Sequence, residues 1–162
     1  MSPNGLQITT PSDTTIVLTR TFNAPRRMVW EAMFTAEKML RWMLPPPGWT
    51  ISICECDPRL AGALRLVWKG PDGQQSMALY GVFSEAVVPE RMVHTEMMVL
   101  GSGDPIGAQL ETHEFAEMNG ITSMRITQVF ASKTARDEAL TSGMECIELG
   151  YLKLDALLAQ QP

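Results

Sequence analysis

The 162-residue sequence has few cysteines, and their spacing excludes two classes of protein. Its three cysteines are an odd number, and Cys54 and Cys56 are only two positions apart, so they make a poor disulfide framework. Free thiols are typical of a reducing compartment, and we expect a cytoplasmic protein. The Cys-x-Cys pair also lacks the spacing of a zinc site and has no second Cys or His pair nearby, so we predict no metal there.

Long apolar runs and basic clusters are missing as well. No stretch approaches the roughly 20 apolar residues of a membrane span, and the first residues do not have the pattern of a signal peptide. Thirteen Lys and Arg against eighteen Asp and Glu give a net charge of -5, with no dense basic block to neutralise phosphates. We therefore predict neither a membrane nor a nucleic-acid partner.

The chain is nevertheless rich in apolar residues. Hydrophobic residues make up 45% of it, and its length fits one domain with a substantial core. Twelve methionines are many for this size, and their flexible side chains suit an adaptable ligand cavity. Residues 1–12 are polar and contain Pro3, Gly5 and Pro11. We predict a flexible tail over residues 1–12 and a single domain over residues 13–160.

Apolar periodicity predicts one strand, then two short helices, then more strands. Alternating β-branched residues indicate a strand over residues 14–22, and Pro25 suits the first turn of a helix. A second short helix over residues 36–42 ends before the prolines at 45–47. A period of two then predicts an antiparallel meander, with strands at residues 49–56, 63–69, 76–87, 92–100, 108–116 and 121–130.

The C-terminal segment has the pattern of one long amphipathic helix. Thr134 and Asp137 have the spacing of a capping box, and apolar residues from Leu140 to Leu158 recur at steps of three and four. Such a helix must bury its apolar stripe against the sheet. We predict an α+β fold: a curved antiparallel sheet wrapped around a long C-terminal helix, with two short helices after the first strand.

This order of elements resembles the helix-grip fold of the START/Bet v 1-like (SRPBCC) superfamily. Local motifs are similar, more narrowly, to the family named after the activator of Hsp90 ATPase (homologue 1-like). In chain order they are Arg20 to Pro25, Val29-Trp30, Trp42 with Pro45, Gly48-Trp49-Thr50, Asp57-Pro-Arg59 with Gly62, Met77 with Gly81, Pro89-Glu-Arg91, Gly143-Met144 and Gly150.

The resemblance covers residues 14–159 and implies a cavity between the sheet and the long helix that holds a hydrophobic small molecule. It does not imply catalysis, because relatives include lipid binders, polyketide cyclases and co-chaperone domains. Met43-Leu44, Ala61 and Tyr151 depart from the family pattern at positions that shape the cavity. The identity of the ligand therefore does not carry over.

Asn119-Gly120 lies between two alternating runs and predicts a two-residue hairpin turn. The turn sets a register in which paired residue numbers sum to 239, so Glu114 faces Arg125 on a solvated face. By elimination the opposite face points inward. It carries the pairs Phe115 with Met124, His113 with Ile126, and Glu111 with Gln128.

The preceding strand adds polar groups to the same patch. Alignment to the family pattern places Met92, His94, Glu96 and Met98 inward. Both histidines of the chain and two glutamates would then line one part of the cavity. Such a group can be a hydrogen-bonded part of the wall, anchor a polar ligand head, bind a metal through His and carboxylate, or carry out acid–base chemistry.

The sequence favours a non-catalytic protein that binds a small hydrophobic or aromatic molecule. We predict no catalytic residue, cofactor or metal. The predicted ligand-binding residues are Trp30, Met33, Trp42, Leu66, Trp68, Met92, His94, Glu96, Glu111, His113, Met124, Met144, Ile147 and Tyr151.

Two other functions stay open: a cyclase- or hydrolase-like enzyme that uses the cavity His and Glu side chains, and a protein-interaction domain that resembles an Hsp90 activator. Exposed sheet edges also permit a homodimer. Arg20 shares the inward parity of its strand, so we expect a carboxylate partner for it.

Overall fold

The computed structural model describes residues 5–103, 105–142 and 144–160. Strands and helices follow the predicted order, with additions at both ends. The elements are β1 (Gln7–Ser12), β2 (Thr15–Phe22), α1 (Arg26–Phe34), α2 (Ala36–Trp42), β3 (Thr50–Cys56), β4 (Ala63–Lys69), β5 (Ser76–Val87), β6 (Arg91–Leu100), β7 (Pro105–Met118), β8 (Ile121–Phe130), α3 (Lys133–Thr141) and α4 (Met144–Ala159).

The strands of this part of the chain form one unclosed, curved sheet in the order β1-β2-β8-β7-β6-β5-β4-β3, and every neighbouring pair is antiparallel. The predicted register of the last hairpin is confirmed, since Met118 pairs with Ile121 and Glu114 with Arg125. Asn119 and Gly120 both have positive φ, as a two-residue turn of this kind requires. The α+β helix-grip fold is therefore confirmed.

The core lies between the concave face of the sheet and helices α1, α2 and α4. Phe22 on β2 and Leu154 on α4 are fully buried. Tyr151 on α4 contacts the ring of Phe22 edge-on and the ring of Trp42 on α2, with centroids 5.7 Å apart in both pairs. These contacts hold α4 across the sheet and fix one wall of the space beneath it.

Arg20 also ties α4 to the sheet, and it has the carboxylate partners that the sequence predicted. Its guanidinium is buried on β2, with Nη2 2.7 Å from Asp155 Oδ2 and Nε 3.1 Å from Glu148 Oε2. Both carboxylates are one-third exposed, so they keep part of their hydration while neutralising the buried cation. This arrangement is structural and lies outside the cavity described below.

The prediction of a flexible tail over residues 1–12 is wrong for residues 7–12, which form β1. Gln7 pairs with Thr19 and Thr9 with Val17 of β2. All six side chains of β1 are exposed, so the strand has no alternation of apolar and polar residues that a sequence could reveal. It forms because the edge of β2 offers unpaired backbone groups.

The prediction of a single C-terminal helix is also wrong, because α3 ends at Thr141 and a separate helix, α4, follows. Ser142 has an extended backbone, and its hydroxyl donates a hydrogen bond to the Glu138 carbonyl. Local bonds of this kind compete with continuation of a helix. The expected Thr134 cap is replaced by Ser132, whose hydroxyl accepts from the Ala135 amide. Gly143 lies outside the described residues.

Candidate functional site

A cavity of about 340 Å³ lies between the concave sheet face and helices α1, α2 and α4. Its wall is mainly apolar and aromatic, its acidic, imidazole and amide groups come from β6, β7 and β8, and α4 adds Tyr151. Ten of the predicted ligand-binding residues line it: Met33, Trp42, Leu66, Trp68, His94, Glu96, Glu111, His113, Ile147 and Tyr151.

The remaining predicted residues do not line this cavity in the described part of the chain. Trp30, Met92 and Met124 are buried in the surrounding core, where inward-facing positions of the sheet and α1 pack too closely to leave a space. Met92 and Met124 share the strand parity of the lining residues, and parity alone cannot separate packed positions from open ones. The side chain of Met144 lies outside the described part of the structure.

Several lining residues were not among the predicted set. Gln128 could have been found, because the predicted hairpin register already placed it opposite Glu111. Phe34 is the last residue of α1, and its ring contacts the ring of His113 edge-on, with 5.3 Å between the centroids. The other additions come from the helices, the proline-rich loop and neighbouring strands: Leu18, Met39, Met43, Leu44, Pro46, Leu64, Ile126, Cys146 and Gly150.

Strand register brings the polar groups together. His94 pairs with Glu111 across β6 and β7, and Glu111 pairs with Gln128 across β7 and β8, so these three side chains form one row on the inner face. His113 lies two residues along β7 from Glu111 and reaches His94 diagonally. The row and its diagonal neighbour form the polar floor of an otherwise apolar cavity.

Glu111 is the centre of this network. Its Oε1 accepts hydrogen bonds from Gln109 Nε2 at 2.9 Å and from Gln128 Nε2. Its Oε2 lies 3.0 Å from His113 Nε2 and 3.7 Å from His94 Nε2. Burial by itself would raise the pKa of Glu111, but the hydrogen bond from His113 and the other donors outweigh it and lower the pKa. The carboxylate is therefore ionised.

Glu96, by contrast, is in its neutral, protonated form. Burial, together with repulsion from Glu111, raises its pKa well above the usual range, against a smaller opposing effect of the Gln109 hydrogen bond. Gln109 Nε2 bridges the two side chains, at 2.9 Å from Glu96 Oε2 and 2.9 Å from Glu111 Oε1. One carboxylate and one neutral carboxyl group thus lie side by side.

His94 is neutral, and its contacts define its tautomer. Burial lowers its pKa to about 4, although the Glu111 carboxylate acts in the opposite direction. Its Nδ1 lies 3.4 Å from the Thr95 carbonyl oxygen, which can only accept, so we assign the ring proton to Nδ1. The lone pair of Nε2 then faces His113 Nε2 at 3.2 Å.

Three buried side-chain atoms have no hydrogen-bond partner among the described residues: Trp30 Nε1, His113 Nδ1 and Gln128 Oε1. Gln128 is the informative case, because its Nε2 is already engaged by the ionised Glu111. The amide orientation is thereby assigned, and Oε1 remains as an unpaired acceptor on a residue that lines the cavity. Unpaired buried acceptors are costly and rare in folded proteins.

Cys54 and Cys56 are free thiols in partly buried positions. Burial raises the pKa of Cys54, and it raises the pKa of Cys56 to about 12. Both thiols therefore stay protonated at neutral pH, and a protonated thiol is a poor nucleophile.

A curved antiparallel sheet with a cavity beneath a C-terminal helix defines the helix-grip fold of the START/Bet v 1-like superfamily. More narrowly, the chain belongs to the activator of Hsp90 ATPase homolog 1-like family, which matches residues 23–159. Ligand binding or Hsp90 activation is the general role that this family supports. None of the helices in the described residues is long and apolar enough to span a membrane.

Solved structures of similar proteins share this fold. A protein from Rhodobacter sphaeroides is 28% identical, with a TM-score of 0.87 over 98% of this chain and 100% of its own. Proteins from Mycobacterium smegmatis and Nitrosomonas europaea are 23% and 22% identical, each with a TM-score of 0.77 over 94% of this chain. The matches cover 96% and 100% of those two proteins. No curated protein matches the chain.

Proposed function

We propose that this protein binds a small, largely apolar or aromatic molecule in the cavity, with a polar group of that molecule held at the Glu96–Gln128 end of the network. The cavity volume of about 340 Å³ falls within the range of about 300–1,000 Å³ that is usual for ligand pockets. The observation that carries the proposal is the unpaired Gln128 Oε1 in a wall that is mainly apolar.

The polar groups define the chemistry of the ligand head. Gln128 Oε1 needs a donor, which a phenol or another hydroxyl group supplies. The protonated carboxyl of Glu96 offers a hydrogen to a carbonyl or ether oxygen. A molecule with a hydroxyl and a neighbouring oxygen acceptor would complement both groups, whereas a carboxylate would meet the negative charge of Glu111.

The rest of the wall suits an aromatic body. The aromatic side chains of Trp42, Trp68 and Phe34 line the cavity. Met33 and Met39 adjust their shape easily, because methionine has three rotatable bonds and a polarisable sulfur. Several aromatic skeletons could therefore be accommodated, and we expect binding that is selective for the polar head and tolerant of the body.

The experiment uses pairs of probes that differ in the polar head. Metal-free protein with EDTA is titrated with 1-naphthol and with 1-methylnaphthalene, and the same protein is screened against polyketide-like aromatics by thermal shift. We expect 1-naphthol to raise the melting temperature and to bind at least about 10-fold more tightly than the methyl analogue, about 1.4 kcal/mol.

A variant tests whether the preference comes from Gln128. Gln128→Met should bind the two naphthalenes equally, while Thr127→Val, a control on the opposite face of β8, should keep the preference. If no probe stabilises the protein, or if Gln128→Met keeps the preference for 1-naphthol, the proposal is wrong.

A further inference from the structure

His94, Glu111 and His113 direct two imidazole nitrogens and one carboxylate oxygen toward a common point in the cavity wall. The two Nε2 atoms are 3.2 Å apart, and Glu111 Oε2 lies 3.0 Å from His113 Nε2 and 3.7 Å from His94 Nε2. All three residues are buried, and all three line the cavity. The Cys-x-Cys pair contributes nothing to this point.

These separations match the spacing of donors around one metal ion. A point about 0.8 Å out of the plane of the three atoms is about 2.1 Å from each of them, which is the usual length of a bond from zinc to an imidazole nitrogen or a carboxylate oxygen. Donors at about 2.1 Å are about 3.4 Å apart in a tetrahedral site and about 3.0 Å apart when they subtend a right angle. The observed separations span these two values.

The ring orientations also suit a shared ion. The imidazole centroids are 5.2 Å apart while the Nε2 atoms are only 3.2 Å apart, so the rings approach through their Nε2 edges. The Thr95 carbonyl holds the other nitrogen of His94, which leaves the Nε2 lone pair available. At His113 the ion would replace the proton on Nε2, and Nδ1, unpartnered among the described residues, can carry a ring proton instead.

The carboxylate is held in place before any ion arrives. Gln109 and Gln128 both donate to Glu111 Oε1, which leaves Oε2 as the atom that faces the histidines. Outer contacts of this kind orient the ligands in metal sites and strengthen binding. The structure therefore contains both the donor set and the groups that position it.

We propose that His94, Glu111 and His113 bind one divalent transition-metal ion of the Zn²⁺ and Co²⁺ class, with the remaining coordination position open to the cavity. Two imidazoles and one carboxylate suit such ions, whereas Ca²⁺ and Mg²⁺ prefer sites made of oxygen ligands. This inference does not depend on the organic ligand proposed above, and it reverses the expectation from the sequence that no metal is bound.

For the test, full-length protein is treated with EDTA and then exchanged into buffer without EDTA. It is titrated with Co²⁺ alone while the visible absorption is recorded, and Zn²⁺ is then added to compete for the site. We expect one equivalent of Co²⁺ with a spectrum of four or five coordination and no thiolate-to-cobalt charge-transfer band. His94→Gln, His113→Gln and Glu111→Gln should each weaken binding by at least about 100-fold. Glu114→Gln, on the outer face of the same strand, should bind as the wild type does.

Circular dichroism and thermal melts establish that each variant is folded, and Cys146→Ser removes the thiol that lines the same cavity. Absence of one-equivalent binding by the folded wild type would overturn the proposal, as would unchanged affinity in all three ligand variants or loss of binding in the cysteine variant. The organic probes are tested without metal and the metal is tested without probes, so either proposal can fail while the other stands.

Discussion

His94 and His113 bring their Nε2 atoms to 3.2 Å although neither residue is the register partner of the other. His94 pairs with Glu111, and His113 pairs with Met92. The contact is diagonal between two antiparallel strands, a distance that long side chains span. Since two Nε2–H groups would repel each other at this separation, at least one ring presents a lone pair, and the contact to Thr95 identifies that ring as His94.

The burial of His94 predicts a pH dependence of the free energy of unfolding. The pKa of His94 is lowered to about 4 by burial, against about 6.5 in an unfolded chain. Between these values the unfolded state binds more protons, so stability falls as the pH falls from about 6.5 to about 4, and His94 accounts for about 3 kcal/mol of that loss. Above pH 6.5 this effect of His94 is absent because the ring is neutral in both states.

Urea unfolding of metal-free protein from pH 4.5 to 7.5 measures this slope, and NMR of the His94 ring measures the midpoint. Glu96 gives a slope of the opposite sign above its ordinary pKa, because its folded-state pKa is raised. The slope of the wild type must therefore be compared with that of His94→Gln, which keeps Glu96. Equal slopes in the two proteins, or a His94 midpoint near 6.5, would contradict the prediction.

Glu111 should be the most sensitive polar position of the cavity. In Glu111→Leu, His113, Gln109 and Gln128 all lose an acceptor in a buried setting, and we expect the free energy of unfolding to fall by about 3 kcal/mol. Glu114→Leu is the matched control on the same strand. Its carboxylate is half-exposed beside Arg91, so we expect a loss below about 1 kcal/mol. Chemical denaturation compares them, and similar losses would argue against a network centred on Glu111.

The inner face of the last hairpin could be predicted because its turn chemistry is strong. Asn119-Gly120 sets a two-residue turn, and alternation then places Glu111, His113 and Gln128 on one face without further information. The distance between the two histidines could not be predicted in the same way. It depends on the β6–β7 register, which shifts between Met97 and Met98, and such an irregularity leaves no mark in the pattern of residues.

The ends of the chain show the limits of periodicity more directly. β1 pairs with β2 through its backbone, and its exposed side chains carry no alternation of apolar and polar residues. The apolar steps from Leu140 to Leu158 continue across the end of α3, so helical spacing could not reveal the extended backbone at Ser142. The location of the cavity could not be predicted either, because tertiary packing decides which inward-facing residues contact each other and which leave a space. The binding role of the predicted residues remains a prediction.

Arg20 predicts a large stability effect that is independent of the cavity. Arg20→Met leaves Glu148 and Asp155 without their partner, and the loss should be about 2–4 kcal/mol, the lower end being favoured by the partial exposure of both acids. Arg27→Met is the control, since Arg27 is two-thirds exposed and its contact with Glu31 is 3.8 Å, and it should cost no more than about 0.5 kcal/mol. Guanidinium unfolding of both variants measures the difference, and equal losses would show that the buried pairs add no stability.

Two buried glycines should respond in opposite ways to alanine. A Cβ at Gly81 would overlap the carbonyl oxygen of Thr95, so Gly81→Ala must displace a strand and should cost several kcal/mol. A Cβ at Gly150 would lie 3.5 Å from the Trp42 carbonyl oxygen, an ordinary contact. Because glycine in a helix costs about 1 kcal/mol relative to alanine, Gly150→Ala should raise the melting temperature by about 2–4 °C.

Gly150 also lines the cavity, and this gives its substitution a second readout. If the glycine is present only because α4 packs closely on α2, Gly150→Ala should be neutral or destabilising and should leave binding of 1-naphthol unchanged. If the missing side chain makes room for a ligand, the variant should be more stable than the wild type and bind 1-naphthol more weakly. The 3.5 Å clearance favours the second outcome, because space for a methyl group is already there and the wild type gives up helix stability by leaving it empty.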